Sequence, residues 1–241
     1  MLRLGYTLRL SLLAVMLGVI GLDAGHAEGL RVSPVLLEVT APGAATTLTL
    51  RNDGRLPITV QSRIFRWEQK DGQDQLSRTR DVVVSPPMTR LAPGAQQTIR
   101  VVRTSRSAVQ GEEAYRLYVD EVPDQARARS GTVAFATRMR VPVFFVEPGV
   151  LLPDVHWVLR TSGRNAVLEG RNTGQVRLRM ADLRLTQGGK MVSRHDGLLG
   201  YVLGGATMRW PVAAASSIGS GRVKLQASTS RGALDANVST Q

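Results

Sequence analysis

No cysteine occurs among the 241 residues, so no disulfide can brace the chain and its stability must come from core packing. Aromatic residues are few, with four Phe, four Tyr and three Trp, which argues against an exposed aromatic platform. Histidine is confined to His26, His156 and His195, without the i, i+4 spacing or the cysteines of a metal site. Long apolar runs are missing except at the start, where Leu10 to Leu22 follows Arg3 and Arg9 and precedes Gly25-His26-Ala27. A bilayer crossing needs about 20 apolar residues, more than this run offers, so residues 1–27 read as an export signal cleaved before Glu28. The mature chain is expected to be soluble, with no membrane insertion. Lysine appears only at Lys70, Lys190 and Lys224, which leaves the formal charge of +12 almost wholly to arginine.

Cleavage removes two of the 31 basic residues and one of the 19 acidic ones, so a surplus of 11 positive charges remains. Such a surplus invites nucleic acid as a partner. Export and the scattering of the arginines singly along strand-like segments argue against it, and leave open a basic surface that attracts carboxylates or acidic partners. A hydrophobic share of 43% supports real cores and excludes disorder. Twenty-four Gly and eleven Pro favour short elements joined by tight turns.

The fold class these features predict is all-β. Strands are expected at Val32 to Val39, Thr46 to Arg51, Ile58 to Trp67, Val82 to Val84, Thr98 to Val102, Tyr115 to Val122 and Thr132 to Phe145. Pro42-Gly43, Asn52-Asp53-Gly54, Asp71-Gly72, Pro86-Pro87 and Pro93-Gly94 separate them as turns. Leu48 and Leu50 alternate with Thr47 and Thr49, the period of a half-buried strand. This count and spacing fit an immunoglobulin-like sandwich over residues 28–148. After Glu147-Pro148-Gly149 a smaller β-sandwich is expected over 149–241, with strands at His156 to Leu159, Ala166 to Arg171, Val176 to Leu185, Tyr201 to Leu203, Met208 to Val212, Val223 to Gln226 and Leu234 to Val238. The halves show no convincing internal repeat, and a short connector implies an angled molecule with a cleft.

Nothing in the sequence reads as catalytic, and only distant Asp and Glu residues that converge in the fold would make a hydrolase. There is no Gly-x-Ser-x-Gly elbow, no Ser-x-x-Lys and no phosphate-cradling glycine loop ahead of a helix, and no cofactor is implied. His156 beside Trp157 reads as a half-buried strand residue, and Gly197, Gly200 and Gly205 read as turn markers. The segment Gly131 to Val146 stands out as one long strand in which Val133, Phe135 and Thr137 share a face, while Arg138 and Arg140 follow on the other. It reads equally as an ordinary core strand with two solvated arginines or as an edge strand kept open for a partner.

Ser85-Pro86-Pro87-Met88-Thr89-Arg90-Leu91-Ala92-Pro93-Gly94, Thr98-Ile99-Arg100-Val101 and Arg116-Leu117-Tyr118-Val119-Asp120-Glu121-Val122-Pro123 resemble the signature stretches of PapD-type periplasmic pilus chaperones. Ile64-Phe65-Arg66-Trp67 and Gly197-Leu198-Leu199-Gly200-Tyr201-Val202-Leu203 are more similar to the archaic branch of that family. The resemblance implies a boomerang of two immunoglobulin-like domains, located in the periplasm, that binds nascent pilus or fimbrial subunits and passes them to an outer-membrane usher. The chaperone lends its long last strand to the subunit, with Val133, Phe135 and Thr137 as donor side chains. Two basic cleft residues of the family grip the subunit's terminal carboxylate. Arg140, with Arg138 beside it, matches one of them, whereas the other falls near Leu36, leaving Arg31, Arg138 or Arg90 as substitutes. The competing reading is a secreted two-domain β module that binds carbohydrate or another surface ligand.

Overall fold

The computed structural model describes residues 29–123, 136–149, 151–162, 165–213, 218–219 and 221–241. The export signal, Val133 and Phe135 lie outside the described residues.

Every element among them is a β-strand. The first half holds β1 (Leu30–Ser33), β2 (Leu37–Thr40), β3 (Ala45–Asn52), β4 (Ile58–Lys70), β5 (Gln73–Arg78), β6 (Val82–Ser85), β7 (Met88–Leu91), β8 (Gln96–Arg103), β9 (Glu112–Val122) and β10 (Arg138–Val146). One sheet has the order β1-β3-β8-β6; the other runs β2-β10-β9-β4-β5, with β7 also on β4. Alternation drives the packing between them. Leu48, Leu50, Ile99 and Val101 point inward from the first sheet, to meet Val60, Tyr115, Leu117, Val119, Val141, Val143 and Phe145 of the second. Each such large side chain contributes about 1.5–3 kcal/mol on burial.

The expected strand Val32 to Val39 is two strands in two sheets. β1 pairs antiparallel with β3 as far as Ser33, and β2 pairs parallel with β10 from Leu37 onward. Pro34 lies at the crossing, where its missing N–H ends the first ladder. The strand expected from Ile58 to Trp67 runs on to Lys70 and returns as β5, through a turn in which Asp71 and Gly72 both have positive φ, 55° and 79°. Two left-handed residues are what a tight hairpin requires.

The second half holds β11 (Val155–Ser162), β12 (Asn165–Asn172), β13 (Leu178–Gln187), β14 (Lys190–Val202), β15 (Thr207–Ala213), β16 (Arg222–Thr229) and β17 (Gly232–Ser239), in sheets β11-β12-β15 and β14-β13-β16-β17. Leu159, Leu168, Met180, Leu183, Leu185 and Leu225 are central to its core. Of the short strand expected at Tyr201 to Leu203, Tyr201 and Val202 are the end of the long β14, and Leu203 follows it. Gly197, expected in a turn, sits within β14 at an irregularity of the β13–β14 ladder and donates its N–H to Asp182 Oδ1 at 2.9 Å. His156, expected to be half-buried, is exposed beside Asp154.

The two sandwiches share one device that the sequence did not reveal as a repeat. Asn52, fully buried, donates from Nδ2 to the carbonyls of Leu56 (2.8 Å) and Leu91 (3.1 Å) and accepts from Gly54 N–H (2.9 Å). Asn172 donates to Val176 (2.8 Å) and Val202 (3.2 Å) and accepts from Gly174 N–H (3.0 Å). Each asparagine ends its strand and ties the next turn to a second loop across the sandwich.

Between the halves, Trp67, Ala114 and Phe144 pack against Tyr201 and Leu203. Trp67 lies 5.5 Å from Tyr201 and 5.8 Å from Phe144, ring centre to centre. Gln69 exchanges hydrogen bonds of 2.9 Å with Tyr201 C=O and Leu203 N–H, and Arg209 N–H donates to Gly72 C=O at 3.0 Å. Arg177 pairs with both Glu112 and Glu38 and lays its guanidinium 3.6 Å from the Phe144 ring centre.

Candidate functional site

Strand registers resolve the outer face of the larger sheet into rows. Reading across β4, β9 and β10, Phe65, Arg116 and Pro142 lie side by side; next come Arg63, Tyr118 and Arg140; then Gln61, Asp120 and Arg138. The odd positions of β10, Met139 to Phe145, turn inward to the core, so Arg138 and Arg140 share the outer face with Phe144. Strict alternation therefore sets Arg140, four residues before Phe144 on the strand, on the face that carries that ring.

The edge beside these rows is open. β9 covers β10 over its whole length, whereas β2 covers only Val143 to Val146. Among the described residues, Arg138 to Pro142 have a strand on one side alone. Such an edge presents unpaired N–H and C=O groups to an added strand. Thr137, one residue ahead, is half-buried, and its carbonyl accepts Glu121 N–H at 2.9 Å.

The arginines of this face are not equivalent. Asp120, almost fully buried, is gripped by Arg63 and by Arg138, whose Nε lies 2.6 Å from Oδ1. Burial pushes the Asp120 carboxyl up, but the hydrogen bonds from Arg63 and Arg138 outweigh it and hold it below the ordinary range. Arg138 is thereby committed to a structural pair. Arg140 has no carboxylate partner among the described residues, and its guanidinium rests 5.5 Å from the centre of the Tyr118 ring.

Arg116, which no argument from the residues singled out, stands diagonally to Arg140 on the next strand. It lies 3.5 Å from the Trp67 ring centre, and its nearest carboxylate, Asp74, is 4.0 Å away. Burial lowers its affinity for its proton, Asp74 counters this in part, and the like charge of Arg140 acts with burial. A desolvated guanidinium held only at long range by Asp74, beside the unpaired Arg140, makes a site for an anion. The period-two pattern Arg116, Tyr118, Asp120 against Tyr115, Leu117, Val119 is the signal that places it on this face.

The other suggested substitutes are elsewhere. Arg31 lies in the opposite sheet, 2.7 Å from Asp53, and Arg90 pairs with Thr59 at the far end of β4. Leu36, 38% exposed, immediately precedes β2 at the end of the open edge. Among the described residues, no group of three or more His, Asp or Glu could hold a metal.

Solved structures similar to this chain include chaperones and their complexes. A chain of the Acinetobacter baumannii CsuC–CsuE chaperone–tip adhesion subunit pre-assembly complex is 24% identical, with a TM-score of 0.66, covering 88% of this chain and 99% of that one. The Escherichia coli chaperone DraB is 23% identical, with a TM-score of 0.59 and coverages of 88% and 97%. A chain of the Salmonella enterica SafA pilin–SafB chaperone complex is 20% identical, with a TM-score of 0.57 and coverages of 88% and 96%. No curated protein sequence matches the chain. At these identities the likeness establishes the fold. The family model of the pili and flagellar-assembly chaperones, PapD N-terminal domain, matches residues 29–150, half of the chain, and the chain therefore belongs to that family.

Proposed function

We propose that this protein is a non-enzymatic periplasmic chaperone that binds pilus or surface-fibre subunits and delivers them to an outer-membrane usher. On this reading the mature chain starts at Glu28, residues 28–148 form the subunit-binding domain and residues 149–241 the second domain. The open edge of β10 pairs with a subunit strand, and Val133 and Phe135, just upstream, fill its groove. Arg140 receives the subunit's terminal carboxylate, with Arg116 as the second cation in place of the non-basic Leu36.

One observation carries the reading: a strand edge open from Arg138 to Pro142 among the described residues lies beside an arginine that no carboxylate among those residues neutralises. The likeness to structures described as a chaperone with a tip subunit and a pilin with a chaperone supports it. The carbohydrate alternative has no support among the described residues, because Trp67 is buried between the sandwiches and Trp157 packs against Trp210.

The test is a double-mutant cycle on a fibre subunit co-expressed in the periplasm. Arg140→Ala is expected to cost about 1.5–3 kcal/mol of binding, as for a charge-assisted hydrogen bond. Amidating the subunit's terminal carboxylate should cost the same, with little further loss when both changes are combined. Arg138→Ala should change binding by under about 0.5 kcal/mol, since its charge is already spent on Asp120. Additive losses would refute the anchor.

A further inference from the structure

β2 already occupies part of the edge of β10, and it does so parallel, from Leu37 opposite Val143. Any strand added to Arg138–Pro142 must stop where β2 begins. An antiparallel newcomer would bring its positive amino end to that stop, against Arg140 and Arg116. A parallel one brings its carboxylate there. Charge therefore selects the parallel direction, and the last residue of the added strand abuts the segment just ahead of β2.

That segment is Val35-Leu36, and it is apolar and uncovered: Val35 is 71% and Leu36 38% exposed. The alternation of β2, with Leu37 buried and Glu38 exposed, carried back one residue, puts Leu36 on the same face as Arg140. Its level on the edge is that of Pro142, one below Val143. An exposed branched pair at the end of an open strand edge, next to cations suited to a carboxylate, has a use beyond that of scattered surface residues.

Resting on the strand-addition reading above, we propose that Val35 and Leu36 form an apolar wall that reads the last side chain of the bound subunit, selecting subunits that end in a large apolar residue. The chain thus offers side-chain selectivity where a second basic anchor was expected.

The test uses ten-residue peptides of alternating apolar and polar residues, capped at the amino end by a fluorophore, that end in Leu, Ala or Asp, each as acid and as amide. Anisotropy titrations of the mature wild-type protein should rank the acids Leu, Ala, Asp, with Leu at least tenfold tighter than Ala. The double variant Val35→Ser, Leu36→Ser should flatten Leu against Ala to within about threefold, while the acid-to-amide loss persists. Leu36→Met, which keeps volume and apolarity, should retain the ranking. If the serine variant keeps the full preference for Leu, the wall is refuted and strand addition stands. If amidation and Arg140→Ala leave every acid unchanged, the underlying anchor reading fails instead.

Discussion

Replacing Arg177 by alanine probes the charge that joins the two sandwiches. Among the described residues Arg177 is the cation paired with Glu112, a carboxylate whose side chain is 3% exposed, and it also reaches Glu38, which is half-exposed. Removing one partner of a buried pair leaves an uncompensated charge and costs about 3–5 kcal/mol. The Glu38 contact, being solvated, adds about 0–1 kcal/mol. For a chain of this size the loss lowers the melting temperature by about 6–20 °C. Burial pushes the Glu112 carboxyl up from its ordinary value of 4.5, and the Arg177 charge opposes that rise. The native state thus holds this proton more tightly than the unfolded chain. Glu112 therefore favours folding most below its unfolded value, and that contribution fades as pH rises through the raised native one. Without Arg177 the native value moves higher still, so the deficit of Arg177→Ala should be largest near about pH 8 and shrink towards about pH 5. Thermal denaturation at both values decides. Arg177→Ala, Glu112→Gln should regain most of the loss at neutral pH, because no buried charge is then left alone. A deficit equal at both pH values, or a double variant no more stable than the single one, would refute the reasoning.

Asp120→Asn removes a carboxylate held below its ordinary range, whose contribution is present above the unfolded value and lost as pH falls through the depressed one. The variant should be about 1–3 kcal/mol less stable at neutral pH and lose less on acidification, as urea titrations at two pH values would measure. Asn52→Ala and Asn172→Ala each strand two carbonyls at the same place in the two sandwiches, together with one N–H at Asn52 and two, those of Gly174 and Asp154, at Asn172. Chemical denaturation should show losses of about 2–3 kcal/mol for each. A loss confined to one of them would contradict the equivalence of the two plugs.

The elements legible in the sequence were those in which burial imposed a period. β3 declared itself through Leu48 and Leu50, and β9 through Tyr115, Leu117 and Val119, because one side of each is core. β5 could not be found that way: Gln73 to Arg78 is exposed throughout, and its partner is the backbone of β4. The middle of β14 was hidden for the same reason, since Arg194 to Leu198 are exposed and the strand is held there by ladder bonds to β13. The break between β1 and β2 involves a change of sheet, and sheet membership is a non-local property. At the site, Arg140 was legible from the resemblance, whereas the commitment of Arg138 was not, because Asp120 comes from another strand. The paired asparagines were visible only as turn residues; their equivalence lies in which distant carbonyls they meet.

An open strand edge is a hazard as well as a tool, and the charge on this face bears on both. Lys and Arg beside an exposed edge discourage indiscriminate pairing. A cation neutralised by its own chain would lose that effect, and a cation left free in solvent would be a poor anchor because its side chain must be ordered on binding. Arg63 and Arg138 share one acid and fix the geometry of the open end of the sheet. Arg140 and Arg116 rest on Tyr118 and Trp67, which orders a guanidinium without cancelling its charge. On the proposed reading, aromatic rings thus hold ready the two cations nearest the place where an added strand would end. The scarcity of aromatic residues in the chain makes that placement more telling: of the few present, Phe65, Trp67, Tyr118 and Phe144 line this face.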